Sequence, residues 1–277
     1  MSVLGYLGPD GTFSKQAAVL CAKDGQELKE YPTIASAVKA VDRGDIDVCI
    51  VPIENSLNGS VSETLDILAF DSNVYITGEY VLKITQNLVV RPGTKKEDIK
   101  VIMSHPQALG QSAKMLENEF CGVELKAVSS TAYAAKAVSE GDKTIAAIAP
   151  VSAAELYGLE ILYPSCNDGD NNFTRFAVIE KERNMHVTDR DKSSIVFSTE
   201  HTPGSLYRAI GLLGAQNINL LKIEARPMKN ELGKYVFFID IEGNLDDAKG
   251  YFALDEIKSK SLFYKFLGSY ACNENLT

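Results

Sequence analysis

The sequence predicts an α/β protein with two domains, a larger one built on a mostly parallel sheet and a smaller one of βαββαβ order. Over residues 1–181, short apolar runs alternate with segments whose apolar residues recur at helical spacing. The polar segment 182–192 is typical of a linker, and the order of elements changes over residues 193–277. A length of 277 residues is enough for two domains that each bury a core.

Residues 3–70 are predicted to alternate between strands and helices. Thr33 and Gly44 suit the two ends of one helix, and Ser60 with Glu63 predicts a capping box at the start of another. The elements are strands at Val3–Leu7 and Val48–Ile53, and helices marked by Phe13, Ala17 and Leu20, by Ile34, Val38 and Val41, and by Val61, Leu65 and Leu68.

The alternation continues to residue 181. The long strand-like segment Glu79–Val90 is expected to cross into a second lobe that spans about residues 80–160. Further strands are predicted at Lys100–Met103, Val123–Ala127, Ile145–Ala149 and Thr174–Glu180, and helices over Leu109–Phe120, over Thr131–Glu140 and through Ala154 to Gly158. In such folds a ligand binds beyond the carboxyl ends of the strands, where helix N-termini point into a cleft.

The smaller domain is predicted to be ferredoxin-like. Its strands are expected at Ser193–Ser198, Asn219–Ala225, Tyr235–Ile241 and Phe266–Ala271, and its helices at Gly204–Ala215 and Asp247–Ser259.

Composition excludes several classes of function. The net charge is −9 and the basic residues are scattered, so no stripe for duplex nucleic acid is present. No uncharged apolar run reaches the ~18 residues that a membrane span needs, and no secretory signal is visible at the N-terminus. The number of cysteines is five, which is odd, and no two of them have the spacing of a C-x-x-C pair. This predicts reduced thiols in the cytoplasm. A P-loop, an H-E-x-x-H motif and a G-x-S-x-G motif are all absent, so no metal or cofactor is predicted.

Four polar segments each follow a predicted apolar strand. They are Gly8–Ser14, Pro52–Ser56, Ser104–Gln111 and Asn172–Phe176. Each taken alone is compatible with a turn and a helix cap, since Ser, Thr and Asn are common at caps. Taken together, they would line one cleft with hydroxyls, amides and helix N-termini, which suits a small anion rich in oxygen.

These segments, in this order, resemble the catalytic domain of the prephenate dehydratases. The family motifs are matched at Tyr6–Ser14 (Y-L-G-P-x-G-T-F-S), Pro52–Ser56 with Gly59 (P-I-E-N-S), Ser104–Gln111 (S-H-P-Q-A-L-x-Q), Ser130–Ala134 (S-T-A-A, with Tyr133 inserted), Ala153–Leu159 (A-A-E-L-Y-G-L) and Asn172–Phe176 (N-x-T-R-F). The resemblance spans essentially the whole chain. It implies a two-lobed, periplasmic-binding-protein-like catalytic domain over residues 1–181.

Residues 193–277 resemble an ACT domain, the amino-acid-sensing module that this family carries. Two motifs surround its phenylalanine site, P-G-A-L-V at Pro203–Tyr207 and L-x-K-I-E-S-R-P at Leu220–Pro227, with departures at Ser205, Tyr207 and Ala225. The effector residues that the resemblance implies are Pro203, Gly204, Ser205, Leu206, Glu224, Ala225, Arg226 and Pro227. It also implies a homodimer or homotetramer formed through the ACT domains, and the alternative is a degenerate ACT domain kept only for dimerisation.

The resemblance implies that prephenate loses water and carbon dioxide to give phenylpyruvate, without a cofactor, on the way to L-phenylalanine. Thr174 is then a hydrogen-bond donor or relay to the departing hydroxyl, and Asn55, Gln111 and Ser104 orient the substrate. Glu54 is either turned away into a salt bridge or an acid whose pKa is raised by burial. The residues implied to bind substrate are Thr12, Ser14, Ser56, His105, Asn172, Arg175 and Phe176, and Arg175 is equally suited to an internal salt bridge.

Three other functions stay open at this stage. Arogenate carries an amine in place of the keto group of prephenate, and its ring chemistry is identical. Two α/β lobes around a cleft also describe non-catalytic binding proteins for small anions. A metabolite-sensing regulatory subunit is the third, although the N-x-T-R-F segment is intact.

Overall fold

Three β-sheets organise the chain in the computed structural model, which describes residues 2–229, 233–245, 248–272 and 274–276. The side chains of 248–250 and 274–276 are not part of this description. The predicted helix start at Asp247 lies outside the described residues. Within the described residues, no helix has the length and apolar character needed to cross a membrane.

The first lobe is formed mainly by residues 3–83. Its elements are β1 (Val3–Leu7), α1 (Phe13–Cys21), β2 (Glu27–Tyr31), α2 (Ile34–Arg43), β3 (Val48–Asn55), β4 (Gly59–Ser60), α3 (Ser62–Phe70) and β5 (Tyr75–Lys83).

The second lobe follows without interruption. Its elements are β6 (Asn87–Val90), a short 3₁₀ helix (Lys96–Asp98), β7 (Val101–Ser104), α4 (Pro106–Gln111), α5 (Ala113–Glu119), β8 (Glu124–Ala127), α6 (Thr131–Glu140), β9 (Ile145–Ala149), α7 (Val151–Leu156) and β10 (Glu160–Tyr163).

The chain then returns to the first lobe through β11 (Phe173–Glu180) and enters the C-terminal domain. That domain contains β12 (Asp191–Ser198), α8 (Ser205–Ala215), β13 (Leu220–Pro227), β14 (Tyr235–Glu242), α9 (Ala248–Ser259) and β15 (Phe263–Ala271), and β16 (Glu274–Leu276) follows. The C-terminal sheet has the order β13-β14-β12-β15, which is that of a βαββαβ ferredoxin-like domain.

The two lobe sheets are mixed, and each combines a group of three parallel strands with antiparallel neighbours. The first has the order β16-β5-β11-β3-β1-β2, and the second has the order β10-β6-β9-β7-β8. Strand β11 returns from the second lobe, so it runs antiparallel to both β3 and β5. Strands β1, β2 and β3 are parallel to one another, as are β7, β8 and β9.

Local sequence explains both ends of helix α2. Thr33 caps α2 by accepting a hydrogen bond from the Ser36 N–H, and Gly44 ends that helix at φ 79°, a left-handed conformation that favours glycine. The capping box predicted at Ser60 is wrong, because α3 begins after Val61 and lacks a side-chain cap. The single helix predicted over Leu109–Phe120 is interrupted at Ser112.

Alternation along the strands lets the C-terminal sheet pack on both of its faces. On β12, Ile195 and Phe197 join a core with α8 and α9, and Val196 packs into the core of the first lobe. Leu267 and Tyr270 enter that same first-lobe core. The C-terminal sheet therefore lies directly against the first lobe.

The two lobes are joined by two crossing segments, residues 84–86 and 164–172. The Gln86 N–H donates to Asn167 Oδ1 at 2.7 Å, and the Cys166 N–H donates to the Gln86 carbonyl at 2.7 Å. The Ile84 N–H donates to the Asn172 carbonyl at 2.8 Å. These bonds fix the floor of the cleft between the lobes.

Candidate active site

A cavity of about 250 Å³ lies in the cleft between the two lobes. Its lining comes from both lobes and from the crossing segment. The lining residues are Phe13, Ser14, Pro52, Asn55, Ile84, Gln86, His105, Gln107, Ala108, Gln111, Ser129, Ser130, Thr131, Thr174 and Phe176. A larger hollow of about 620 Å³ lies elsewhere on the first lobe, and it contains none of the predicted site residues.

Thr174 and Asn55 face each other on paired strands at the centre of this cavity. They are direct partners in the antiparallel register of β11 and β3. The Asn55 Nδ2 atom donates to Thr174 Oγ1 at 3.1 Å. A β-bulge next to this pair, between Arg175 and Phe176, lets both Pro52 and Asn55 face the cleft.

The orientation of the Asn55 amide follows from its neighbours. Its Oδ1 atom accepts from the backbone N–H groups of Leu57 and Asn58, at 3.0 Å and 3.1 Å. The oxygen is thereby fixed on that side, so the NH₂ group must point toward Thr174. The same NH₂ group donates to Asn172 Oδ1 at 3.0 Å.

The chain of amides continues across the cleft. Because Asn172 Oδ1 accepts from Asn55, its NH₂ group is free to donate to Gln111 Oε1, at 2.9 Å. The carbonyl oxygen of Gln111 is therefore used, and its NH₂ group is the donor that remains for a ligand in the cavity. Asn172 is 2% exposed and lies behind the lining residues, where it holds Asn55 and Gln111 in place.

Helix starts bring partial positive charge to the cavity. The lining contains Phe13 and Ser14 at the start of α1, and Ser130 and Thr131 at the start of α6. A helix N-terminus carries roughly half a positive charge and unpaired N–H groups, so it favours an anion. Among the described lining residues none is Lys, Arg, Asp or Glu.

Arg175 lies on the opposite face of β11 from Thr174, and this corrects the expectation that it binds substrate. Its guanidinium contacts Asp240 at 2.7 Å, Glu54 at 3.0 Å and Glu79 at 3.2 Å. Asp240 belongs to β14, so this cluster joins the first lobe to the C-terminal sheet.

Glu54 is likewise turned away from the cavity, which decides between the two alternatives for this residue. Its carboxylate pairs with Arg175 and with Lys222 Nζ at 2.9 Å. Lys192 completes the cluster at 2.5 Å from Glu79. Three cations and three carboxylates therefore balance at the contact with the C-terminal sheet, defined here as the interdomain cluster (Glu54, Glu79, Arg175, Lys192, Lys222 and Asp240).

Burial and ion pairing act in opposite directions on this cluster. Burial acts to raise the pKa of Asp240, and Arg175 and Lys192 outweigh it, so the pKa lies below its usual value. Burial acts to lower the pKa of Arg175, and Asp240, Tyr270, Glu79 and Glu54 together raise it. Both groups are consequently ionised at neutral pH.

Three other predicted residues have structural roles outside the cavity. Ser104 is fully buried, and its hydroxyl donates to the Ile148 carbonyl at 2.6 Å. Thr12 caps α1 by accepting from the Lys15 N–H at 3.3 Å. The Ser56 hydroxyl donates to the Asn171 carbonyl at 2.6 Å, which fixes the turn before β11. These hydroxyls correct the expectation of direct substrate contact.

The remaining predicted residues do line the cavity, namely Ser14, His105, Gln111 and Phe176. Sequence reasoning missed Gln86, Ile84 and Ser129, which belong to no quoted motif. Ser130 and Thr131 were part of a quoted motif and were not assigned to the site. The described residues contain no cluster of three His, Cys, Asp or Glu side chains placed to hold a metal ion.

The predicted effector residues divide into two groups. Pro203, Ser205 and Leu206 line a cavity of about 340 Å³ on the C-terminal domain, and Gly204 caps the adjoining helix α8. The second motif lies on β13, away from that cavity. Its side chains alternate between the two faces of the strand.

Two side chains of that second motif face the chain's own first lobe. Glu224 accepts from the Ser60 hydroxyl at 3.3 Å, and Arg226 pairs with Asp66 at 3.1 Å. Ala225 and Pro227 are exposed on the opposite face of β13. These four residues therefore do not share a cavity with Pro203 within one chain.

Comparison with known proteins identifies the family. The sequence model of the family described as prephenate dehydratase matches residues 4–184. A relative from Arabidopsis thaliana, described as arogenate dehydratase/prephenate dehydratase 1, is 37% identical over 283 residues, covering 96% of this chain and 71% of that protein.

Two solved structures are similar over nearly the whole chain. Prephenate dehydratase from Arthrobacter aurescens in complex with L-Phe superposes with a TM-score of 0.90 at 34% identity, covering 98% of this chain and 90% of that one. GqqA, described as a novel type of quorum quenching acylase, superposes with a TM-score of 0.88 at 28% identity, covering 98% of each chain.

Proposed function

The chain belongs to the prephenate dehydratase family, and from this premise we propose that its interlobe cavity converts prephenate to phenylpyruvate, water and carbon dioxide. The ring C–O bond breaks and the departing hydroxide takes one proton to become water. The bond to the ring carboxylate breaks as carbon dioxide leaves, and its electron pair completes the aromatic ring. The site must therefore deliver a proton or a strong hydrogen bond to one oxygen and hold two carboxylates.

The hydrogen bond from Asn55 to Thr174 is the observation that carries this proposal. Because Thr174 Oγ1 already accepts from Asn55, its own proton is available to donate. No described residue accepts that proton, and the hydroxyl lies on the cavity. Thr174 thus acts as the donor, or the relay, to the departing oxygen.

The dianion is held by neutral donors. The Gln111 NH₂ group, the Ser14 hydroxyl and the starts of α1 and α6 all border the cavity. Helix N-termini and hydroxyls bind carboxylates without bringing a mobile cation into the site. Phe13, Ile84 and Phe176 supply apolar walls, which suit the ring and strengthen these interactions by excluding water.

Replacing Thr174 tests this proposal directly. Thr174→Val keeps the shape of the side chain and removes the hydroxyl, so we expect kcat for prephenate to fall by about 10²- to 10⁴-fold. Thr174→Ser keeps the hydroxyl and serves as the control, with most of the activity retained. Phenylpyruvate formation is the readout, and an unimpaired Thr174→Val enzyme would remove Thr174 from the mechanism.

The cavity favours prephenate over arogenate as the substrate. Arogenate carries an ammonium group, which binds best beside a carboxylate. Among the described residues that line the cavity there is no Asp or Glu. Parallel assays of both substrates test the preference, and a higher kcat/KM for arogenate would reverse it.

Two other functions receive less support from the site. Acylase activity is part of the description of GqqA. Among the described residues that line the cavity, His105 forms no hydrogen bond with a hydroxyl, and its Nδ1 atom accepts from the Gln107 N–H. A non-catalytic binding protein or a sensing subunit would bind prephenate without releasing phenylpyruvate, so the same assay separates these two from an enzyme.

The C-terminal domain is proposed to bind L-phenylalanine between two copies of the chain. The cavity at Pro203, Ser205 and Leu206 has a volume of about 340 Å³, and within one chain its lining includes no residue of the second motif. Strand β13 is an exposed sheet edge with Leu221 46% and Ile223 42% exposed, which suits pairing with another copy. The similar Arthrobacter structure holds L-Phe.

Calorimetry with L-phenylalanine, combined with light scattering, tests this arrangement. We expect the wild type to be at least a dimer and to release or absorb heat with phenylalanine. Ile223→Lys should weaken both association and binding, because it places a charge on the edge strand. Heat of binding in a monomeric variant would contradict a site shared between copies.

A cytoplasmic location completes the proposal. Cys49 and Cys166 are buried thiols outside any disulfide. Burial raises the pKa of Cys166 to about 11, so this thiol is not reactive at neutral pH. Cell fractionation tests the location, and recovery of the protein outside the cytoplasm would contradict it.

A further inference from the structure

Gln86 is a buried amide in the cavity whose side chain lacks a partner. The residue is 3% exposed, and its Oε1 atom has no hydrogen bond. Within the described residues, no hydrogen bond involves its side chain at all. Buried polar groups in proteins are nearly always paired, and an unpaired one costs about 1–3 kcal/mol.

Hydrogen bonds fix the backbone of Gln86 at the cavity. The residue lies on the crossing segment between β5 and β6, where its N–H donates to Asn167 and its carbonyl accepts from Cys166. Asn167 also donates to the Ile84 carbonyl at 3.1 Å. Both backbone groups of Gln86 are thus fixed, and its side chain is directed to the cavity that Thr174 lines.

The other side-chain amides at the site that were traced above have their oxygens occupied. Asn55 Oδ1 accepts from backbone N–H groups, Asn172 Oδ1 accepts from Asn55, and Gln111 Oε1 accepts from Asn172. Gln86 therefore holds a buried amide oxygen without a hydrogen-bond partner in the lining of this cavity.

We propose that Gln86 is a substrate-positioning residue whose carbonyl oxygen accepts the hydrogen bond of the ring hydroxyl. This inference rests on the function proposed above. Carboxylates and a keto group only accept hydrogen bonds, so the ring hydroxyl is the sole donor on the prephenate dianion. With its proton held by Gln86, the hydroxyl presents a lone pair to the donor Thr174.

The same contact strengthens as the reaction proceeds. When the departing oxygen gains a proton, its original O–H becomes a stronger donor, and an acceptor already in place stabilises the transition state more than the ground state. The contact is lost with the product, because phenylpyruvate has no ring hydroxyl. Gln86 thus acts on the leaving group and not on the carboxylates.

Gln86→Leu tests the proposal with three readouts. We expect kcat/KM for prephenate to fall about 10- to 100-fold, the effect of one hydrogen bond to a developing charge. The melting temperature should equal or exceed that of the wild type, since the variant removes an unpaired buried group. Competitive inhibition by phenylpyruvate should be unchanged.

Gln86→Glu provides a matched variant that keeps the acceptor. Its carboxylate repels the dianion at neutral pH, and the protonated acid restores a neutral acceptor. Activity relative to wild type should therefore rise as the pH falls, whereas the relative activity of Gln86→Leu should not depend on pH.

The possible outcomes distinguish the role of Gln86 from the proposed function on which it rests. A wild type that is inactive on prephenate and arogenate would overturn the proposed function. An active wild type whose Gln86→Leu variant keeps full activity would overturn the role of Gln86 alone. A Gln86→Leu variant that loses affinity for phenylpyruvate, or that melts at lower temperature, would show a structural or carboxylate-binding role instead.

Discussion

On the paired strands β3 and β11, neighbouring residues face opposite sides of the sheet. One side faces the interlobe cavity, and the other side contacts the C-terminal domain. Asn55 and Thr174 face the cavity, and Glu54 and Arg175 face the C-terminal domain. Successive side chains of a strand alternate between its faces, so each motif supplies one residue to each side. Glu54 is for this reason not available as an acid to the substrate.

Glu54→Gln should therefore leave catalysis nearly intact. We expect kcat to stay within about threefold of wild type, because the carboxylate does not reach the cavity. The Glu54 side chain is 34% exposed, so losing its pairs with Arg175 and Lys222 should cost less than about 1 kcal/mol. Steady-state kinetics and urea unfolding measure the two effects. A folded variant without turnover would return Glu54 to the chemistry.

At the scale of residues, the motifs located several side chains that line the interlobe cavity. Thr174, Asn55 and Gln111 line the cavity as predicted. Arg175 was considered both for substrate binding and for an internal salt bridge, and the alternation along the strand directs it away from Thr174 into the salt bridge. Gln86 carried no signal, because only the tertiary structure shows that its amide is buried without a partner.

At the scale of elements, hydrophobic periodicity located most helices and strands. Helix α6 and strand β9 have the predicted bounds. Strands β2 and β10 were missed, because β2 has no fully buried residue and β10 is a short exposed edge. The antiparallel insertion of β11 was also missed, since the direction of a returning strand is set by its long-range partners and not by its own sequence.

Gly268 allows strand β15 to approach β5, and its replacement should separate them. A Cβ atom at this position would lie 2.1 Å from the Ile76 carbonyl oxygen and 3.1 Å from the carbonyl carbon, both backbone atoms. Gly268→Ala should therefore lower the free energy of unfolding by about 1–3 kcal/mol through the clash alone. Thermal and urea unfolding measure the change.

Gly243→Ala is the matched control for this prediction. Gly243 also has a left-handed φ, 96° against 138° for Gly268, and a Cβ atom there would meet nothing within 4 Å. Both variants share the conformational cost of alanine at positive φ. Equal destabilisation of the two would show that the approach of β15 to β5 is not constrained by Gly268.

At the scale of the whole molecule, the interdomain cluster joins the C-terminal sheet to strand β11 of the first lobe. Arg175 follows Thr174 directly on β11, and its partner Asp240 lies on β14 of the C-terminal domain. The sequence does not reveal this contact, because Arg175 and Asp240 are far apart in the chain. The motif that contains Arg175 does not specify how the two domains pack against each other. A buried pair of this kind is sensitive to the loss of one member, which leaves the other charge uncompensated.

Asp240→Asn should lower the free energy of unfolding by an amount that depends on pH. At pH 7 we expect the variant to be about 2 kcal/mol less stable than wild type, because Arg175 and Lys192 lose a charged partner. Arg175 and Lys192 hold the pKa of Asp240 below its usual value against the opposing effect of burial. The folded protein therefore binds fewer protons at this site than the unfolded chain does.

The sign of the pH dependence follows from that difference. The stabilisation by Asp240 is complete above the pKa of an unfolded aspartate, about 3.9, and is lost as the pH falls through the lowered pKa of the folded state. Urea unfolding between neutral and acidic pH should show the gap between wild type and Asp240→Asn closing at the acid end. Asp45→Asn, which removes an exposed pair with Arg43, should change stability little at any pH. A gap that stays constant on acidification would mean that Asp240 stabilises the domain contact by its shape and hydrogen bonds and not by its charge.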